Sequence, residues 1–155
     1  MKEYEKTGVL SLKDLRLPNK KQLEKGVAVI ECVQNIPCNP CVDACPFNAI
    51  SMEDVNALPV VDFDKCVGCG RCIGVCPGLA IFVVKHKGDK ALISLPYEFL
   101  PVPRVNDKVE ALDREGRFVD TVVVKKIVRK GKTCIVTVLA NVEDAMDIRN
   151  IRVRR

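Results

Sequence analysis

Apolar residues in this chain fall into short runs with strand character rather than into helical stripes. VAVIEC at 27–32 and AIFVVK at 80–85 have the length and β-branched content of strands. Between them, MEDVNALPVVDFDKC at 52–66 predicts a hairpin. From Lys85 onward ALIS, KVEALD, FVDTVVVKKIV, TCIVTVLA and DIRNIRV read as further strands, separated by PYEFLPVP, REG, RKGK and the acidic NVEDAMD. Helical signals are few. PNKKQLEKG predicts a short solvated turn of helix ended by Gly26, and NVEDAM predicts one turn capped by Asn141. The pattern divides the chain into an N-terminal basic arm at 1–25, a unit at 26–85, and a small antiparallel β-barrel at 86–155.

Cysteine usage changes the picture of the middle unit. Eight of the nine cysteines crowd into two short clusters, whereas Cys134 lies in an apolar strand and reads as a buried thiol. The start, MKEYEKTGVL, lacks an apolar signal segment, so metal ligation in a reducing cytoplasm is expected rather than a secreted disulfide framework. No apolar stretch approaches the ~20 residues of a spanning helix, and a cytoplasmic protein is expected.

CVGCGRCIGVCP places Cys66, Cys69, Cys72 and Cys76 at the C-x2-C-x2-C-x3-C-P spacing that holds four-iron clusters. Thiolates are soft ligands suited to iron-sulfur cores, and three within seven residues demand a tightly turning backbone. Gly68 and Gly70 meet that demand and let backbone N–H groups approach a bound cluster. Pro77 turns the chain away. In the first run, Cys38, Cys41, Cys45 and Pro46 fit the same spacing, but its first position falls on Asn35.

An offset of 31 residues aligns CNPCVDACPFNAI with CGRCIGVCPGLAI, the mark of a duplicated half-domain. These residues resemble the bacterial two-cluster ferredoxins. The resemblance implies that the cysteine before each proline serves the other half's cluster. One 4Fe-4S cluster then takes Cys66, Cys69, Cys72 and Cys45, and the other takes Cys38, Cys41, Cys76 and Cys32, with the loop QNIP bulging outward. The alternative is that Cys32 packs as a small apolar residue, leaving a 3Fe-4S cluster or an open iron site. The implied fold is an α+β ferredoxin-like two-cluster domain followed by a small all-β, SH3-like barrel.

Charge is unevenly placed: net +3 over 1–25, −4 over 26–84 and +6 over 85–155. Two clusters with their thiolates would remove about four positive charges, so the overall +5 is no nucleic-acid signature by itself. Catalytic constellations are missing. The single histidine, His86, is expected exposed in the turn joining the domains, and neither a G-x-S-x-G nor a phosphate-binding G-x-x-x-x-G-K run occurs. A non-catalytic electron-transfer subunit is therefore expected.

ECVQNIPCNPC, taken with the barrel and the ending RNIRVRR, resembles the iron-sulfur subunits that accompany FAD-dependent amine and amino-acid dehydrogenases, of the proline, hydroxyproline or sarcosine-oxidase-like kind. That resemblance implies flavoprotein partner subunits in a hetero-oligomeric oxidoreductase. A free ferredoxin is one alternative. A basic barrel that binds nucleic acid through Lys125, Lys126, Arg129, Lys130 and Lys132 is another, with structural clusters and Tyr97, Phe99 and Phe118 as its stacking aromatics. No nucleic acid is expected in the leading reading.

Overall fold

The computed structural model describes residues 1–154. Nine strands form, and all pairings are antiparallel: β1 (Val27–Ile30), β2 (Ile50–Ser51), β3 (Val60–Val61), β4 (Ile81–Lys87), β5 (Lys90–Tyr97), β6 (Lys108–Leu112), β7 (Phe118–Lys130), β8 (Thr133–Asn141) and β9 (Asn150–Arg152). Seven of them make one sheet in the order β1-β4-β5-β8-β7-β6-β9, while β2 and β3 pair separately. Helices are short: α1 (Glu3–Thr7), α2 (Lys20–Lys25) and α3 (Pro40–Ala44), with 3₁₀ turns at Ile73–Val75 and Val142–Asp144.

The expected strands occur, but the boundary expected at 85/86 falls inside β4, whose residues pair with β1 on one side and β5 on the other. A strand buried between two neighbours fills its ladder on both edges, so the sheet runs on without a break. His86 consequently corrects an expectation. It is no turn residue: it sits within β4 opposite Ala91, half-buried, and among the described residues its enclosed Nε2 has no hydrogen-bond partner.

Alternation sets the faces of the C-terminal strands. Ala91, Ile93, Leu95 and Tyr97 of β5 face inward, as do Cys134, Val136, Val138 and Ala140 of β8. Each fully buried Val or Ile contributes about 1.5–3 kcal/mol. Cys134 is one of these core residues, as its strand position predicts. The sheet curls far enough that β9 lies against β5, although the two are not hydrogen-bonded neighbours. A bulge between Val124 and Lys126 accentuates the bend.

The N-terminal arm is more embedded than a solvated segment. Asn19 caps α2 by accepting from the N–H of Gln22, and Gly26 ends the helix at φ +96°. Leu23 is buried, and Lys25 Nζ donates to the carbonyls of Phe63 and Asp64 at 2.9 Å each. Arg16 donates to the Val61 carbonyl and lies 4.6 Å from the Phe63 ring centre.

Candidate metal centres

The sequence repeat is a backbone repeat. Asn48 and Leu79, 31 positions apart, both take φ +52° although neither is glycine. Ile30 pairs with Ile81 across β1 and β4, just as the equivalent Val61 pairs with Ile50 across β3 and β2. The N–H of Glu31 donates to the Ala80 carbonyl at 2.7 Å, and that of Asp62 to the Ala49 carbonyl at 2.6 Å. Each half therefore lends a strand to the other.

This exchange distributes the cysteines. A cavity of about 720 Å³ is lined by Cys32, Cys38, Cys41 and Cys76, while a much narrower slot is lined by Cys45, Cys66, Cys69 and Cys72. The division is four and four, with the cysteine before each proline crossing to the other half's site. All nine cysteines are free. Among the described residues no group of three or more Cys, His, Asp or Glu closes on a point suited to a single ion.

Cys32 is only half-buried and faces the first cavity. Asn35, at the position where the motif has cysteine, instead donates through Nδ2 to the Asn56 carbonyl at 3.1 Å. Residues Gln34 to Pro37 are exposed, the outward excursion that the longer spacing requires. The second half needs no such detour. Gly68 takes φ +71°, and a Cβ there would lie 2.9 Å from the Gly26 carbonyl oxygen; Gly70 takes φ +77°. Both glycines line the second slot. Gly68→Ala is expected to cost about 2 kcal/mol or more, left-handed strain plus displacement of backbone, measurable as a lower unfolding midpoint and reduced iron content.

The donor set fits iron-sulfur ligation. Burial, together with the nearby thiols of Cys76 and Cys38, pushes Cys41 up to about 11. Burial and the thiols of Cys66 and Cys69 push Cys72 up to about 12. Crowded, desolvated thiolates need a cationic core to stay ionised. Backbone N–H groups already aim at three sulfurs: Ala28 donates to Cys66 Sγ at 3.3 Å, and Ala49 and Ala80 donate to Cys45 Sγ and Cys76 Sγ at 3.4 Å. The last two contacts are repeat equivalents. Cys41 also acts electrostatically on Cys72, which makes the two sites neighbours.

Residues 31–80 match the family model of the 4Fe-4S dicluster domain. The chain carries a 4Fe-4S dicluster ferredoxin domain. Iron-sulfur clusters are implied by the dicluster domain, and two of them agree with its division of cysteines. The chain is similar to the polyferredoxin-like subunit of an aliphatic sulfonate oxidoreductase from Pyrococcus furiosus, 41% identical over 64 residues that cover 41% of this chain and 36% of that protein. A subunit of tetrathionate reductase from Archaeoglobus fulgidus is 40% identical over 70 residues, 43% of this chain and 33% of that protein. A subunit of sulfite dehydrogenase from Allochromatium vinosum is 45% identical over 38 residues, 24% of this chain and 16% of that protein. The chain spans about a third or less of the length of these curated relatives. No solved structure is a significant match. Among the described residues no helix is long and apolar enough to cross a membrane.

One feature that ties the dicluster domain to the C-terminal strands left little sequence signal of its role. Glu31, the residue before Cys32, is buried and lines the first cavity. Its carboxylate accepts from Arg114 Nε at 2.7 Å and Nη2 at 3.1 Å, and from Arg149 Nε. Arg149 is itself buried, 4.8 Å from the Phe82 ring centre, and donates to the Ala145 carbonyl at 3.1 Å. Burial lowers its pKa and Glu31 opposes that, yet a guanidinium keeps its proton in a protein. The C-terminal strands thus reach back to the wall of the first site. A charge ending an otherwise apolar strand, VAVIEC, was the one available hint.

Proposed function

We propose that this chain is the electron-transfer subunit of a multi-subunit oxidoreductase, holding two 4Fe-4S clusters. Cys32, Cys38, Cys41 and Cys76 serve one, and Cys45, Cys66, Cys69 and Cys72 serve the other. The carrying observation is the division of eight cysteines into two neighbouring sites built by exchanged strands. Bound clusters supply one-electron storage. The chain's residues supply ligation, N–H donors to sulfur and a protein wall against water. In this reading residues 26–85 form a ferredoxin-like unit, and the curled C-terminal sheet is an SH3-like docking element, as befits a fixed subunit.

The catalytic partner is read as a flavoprotein, an FAD-dependent amine or amino-acid dehydrogenase. Support comes from ECVQNIPCNPC and the basic C-terminal strands, which resemble the iron-sulfur subunits of those complexes. The nucleic-acid alternative loses one of its aromatics: Tyr97 is buried, and its hydroxyl donates to the Pro101 carbonyl at 2.9 Å. Anaerobic reduction of the native complex with an amine substrate tests the partner. Flavin bleaching followed by loss of the iron-sulfur absorbance is expected. A co-purifying partner without flavin would redirect the assignment to another oxidoreductase class.

A further inference from the structure

The two sites differ in the residues that line them. The first is roofed by the N-terminal arm, for Tyr4, Glu5, Gly8 and Leu10 line its cavity, and its charged lining residues are the carboxylates Glu5 and Glu31. At the second, Arg71 is the one charged lining residue. Cys69 is exposed there, beside Phe47 and Val67, which are 47% and 46% exposed.

Further cations come from the β7–β8 hairpin. A Cβ on Gly74 would lie 2.7 Å from Lys130 Cγ and 2.9 Å from its Cβ, so the lysine stem rests on Gly74, between Cys72 and Cys76. Arg129 and Lys132 follow on the same exposed hairpin. Among the described residues, Arg71, Arg129, Lys130 and Lys132 enter no ion pair, whereas the carboxylates of Glu110, Glu115 and Glu31 are all engaged elsewhere. Of the hairpin cations that the sequence singled out, the fold sets Lys130 against the dicluster domain.

We propose that the face around Cys69, with Phe47 and Val67 at its centre and Arg71 and the β7–β8 hairpin as its cationic flank, is the port through which single electrons cross to an acidic protein partner. The inference rests on the electron-transfer reading above. Exposed apolar side chains allow close approach of the partner, and unpaired cations beside them attract and orient an anionic surface before contact. Nucleic acid would meet the same charges, but the apolar centre at a redox ligand favours a protein with its own redox group.

The test uses the cluster-loaded full-length protein, reduced with dithionite and mixed in stopped flow with one of two cobalt(III) oxidants. One is the anion cobalt(III)-EDTA, the other the cation hexaamminecobalt(III). In each reaction a reduced cluster loses one electron and cobalt(III) becomes cobalt(II). The rate with the anion is expected to fall as salt is added, and Lys130→Glu or Arg71→Gln to lower it about tenfold at low salt. Lys87→Glu, at the far end of β4, should leave it unchanged.

Iron content and the EPR spectrum of each reduced variant show that the clusters are intact. Lys130→Glu, remote from the cysteine run in sequence, serves if Arg71→Gln loads poorly. An acidic flavodoxin replaces the cobalt anion as the protein probe and should show the same losses. Rates with the anion that rise with salt, or charge variants that match the parent, would overturn the port. So would a DNA oligonucleotide that binds the hairpin and leaves the flavodoxin rate untouched. Failure of dithionite to reduce any cluster would instead remove the electron-transfer reading itself.

Discussion

Cys32→Ala is expected to lower the iron content from about eight to about seven per chain and to produce a three-iron EPR signal in protein kept from air. The reasoning is positional. Cys32 faces the cavity that also holds Cys38, Cys41 and Cys76, while Asn35 is tied to the Asn56 carbonyl on another loop. The double variant Cys32→Ala with Asn35→Cys restores the regular spacing in sequence but presents the new thiol where Asn35 now points. It is expected to stay near seven. Unchanged iron in the single variant would make Cys32 a packing residue, and recovery in the double would show that the loop can adopt the regular register.

Glu31→Ala should be the most destabilising single change outside the cysteines. It strands two guanidinium groups, with side chains 13% and 4% exposed, away from their counter-charge. Breaking a buried pair in this way costs about 3–5 kcal/mol, which lowers the unfolding midpoint of a chain this size by about 10 °C. Glu31→Gln, which keeps an acceptor oxygen, should fall between Glu31→Ala and the parent.

A chain ending at residue 85 removes both arginines and the β5 partner of β4, and it is expected to lose its iron. A soluble truncated chain that retained both clusters would show that 26–85 stands alone. Apparent midpoints of the cluster-loaded protein by circular dichroism, with iron analysis, decide both points.

These experiments mark where the sequence was legible. The cysteine spacings, the repeat and the existence of the strands could all be read, because cluster ligation and strand formation leave their signals within a dozen residues. Even the crossing of Cys45 and Cys76 followed from the family resemblance. What could not be read is nonlocal. The pairing of β4 with both β1 and β5 depends on which edges meet, which no local pattern records, and so His86 was placed in a turn rather than in a strand. Glu31 meets Arg114 and Arg149 across 83 and 118 positions. The left-handed Asn48 and Leu79 escaped notice because glycine, the usual marker of that conformation, is not there.

The same reach from Glu31 to Arg149 has a bearing on how the protein is made. Synthesis runs at ~5–20 residues per second from the N-terminus, so every cysteine of both sites is added to the chain before Arg114 and Arg149. Until they arrive, Glu31 lacks both counter-charges, and the strand end carrying Cys32 is held by the backbone pairing of Ile30 and Glu31 with β4 and the adjoining Ala80 alone. Iron loading at the first site is therefore expected to be complete only after Arg149 has been added. A product that stops short of Arg149 lacks that counter-charge and is expected to be iron-poor and open to proteolysis.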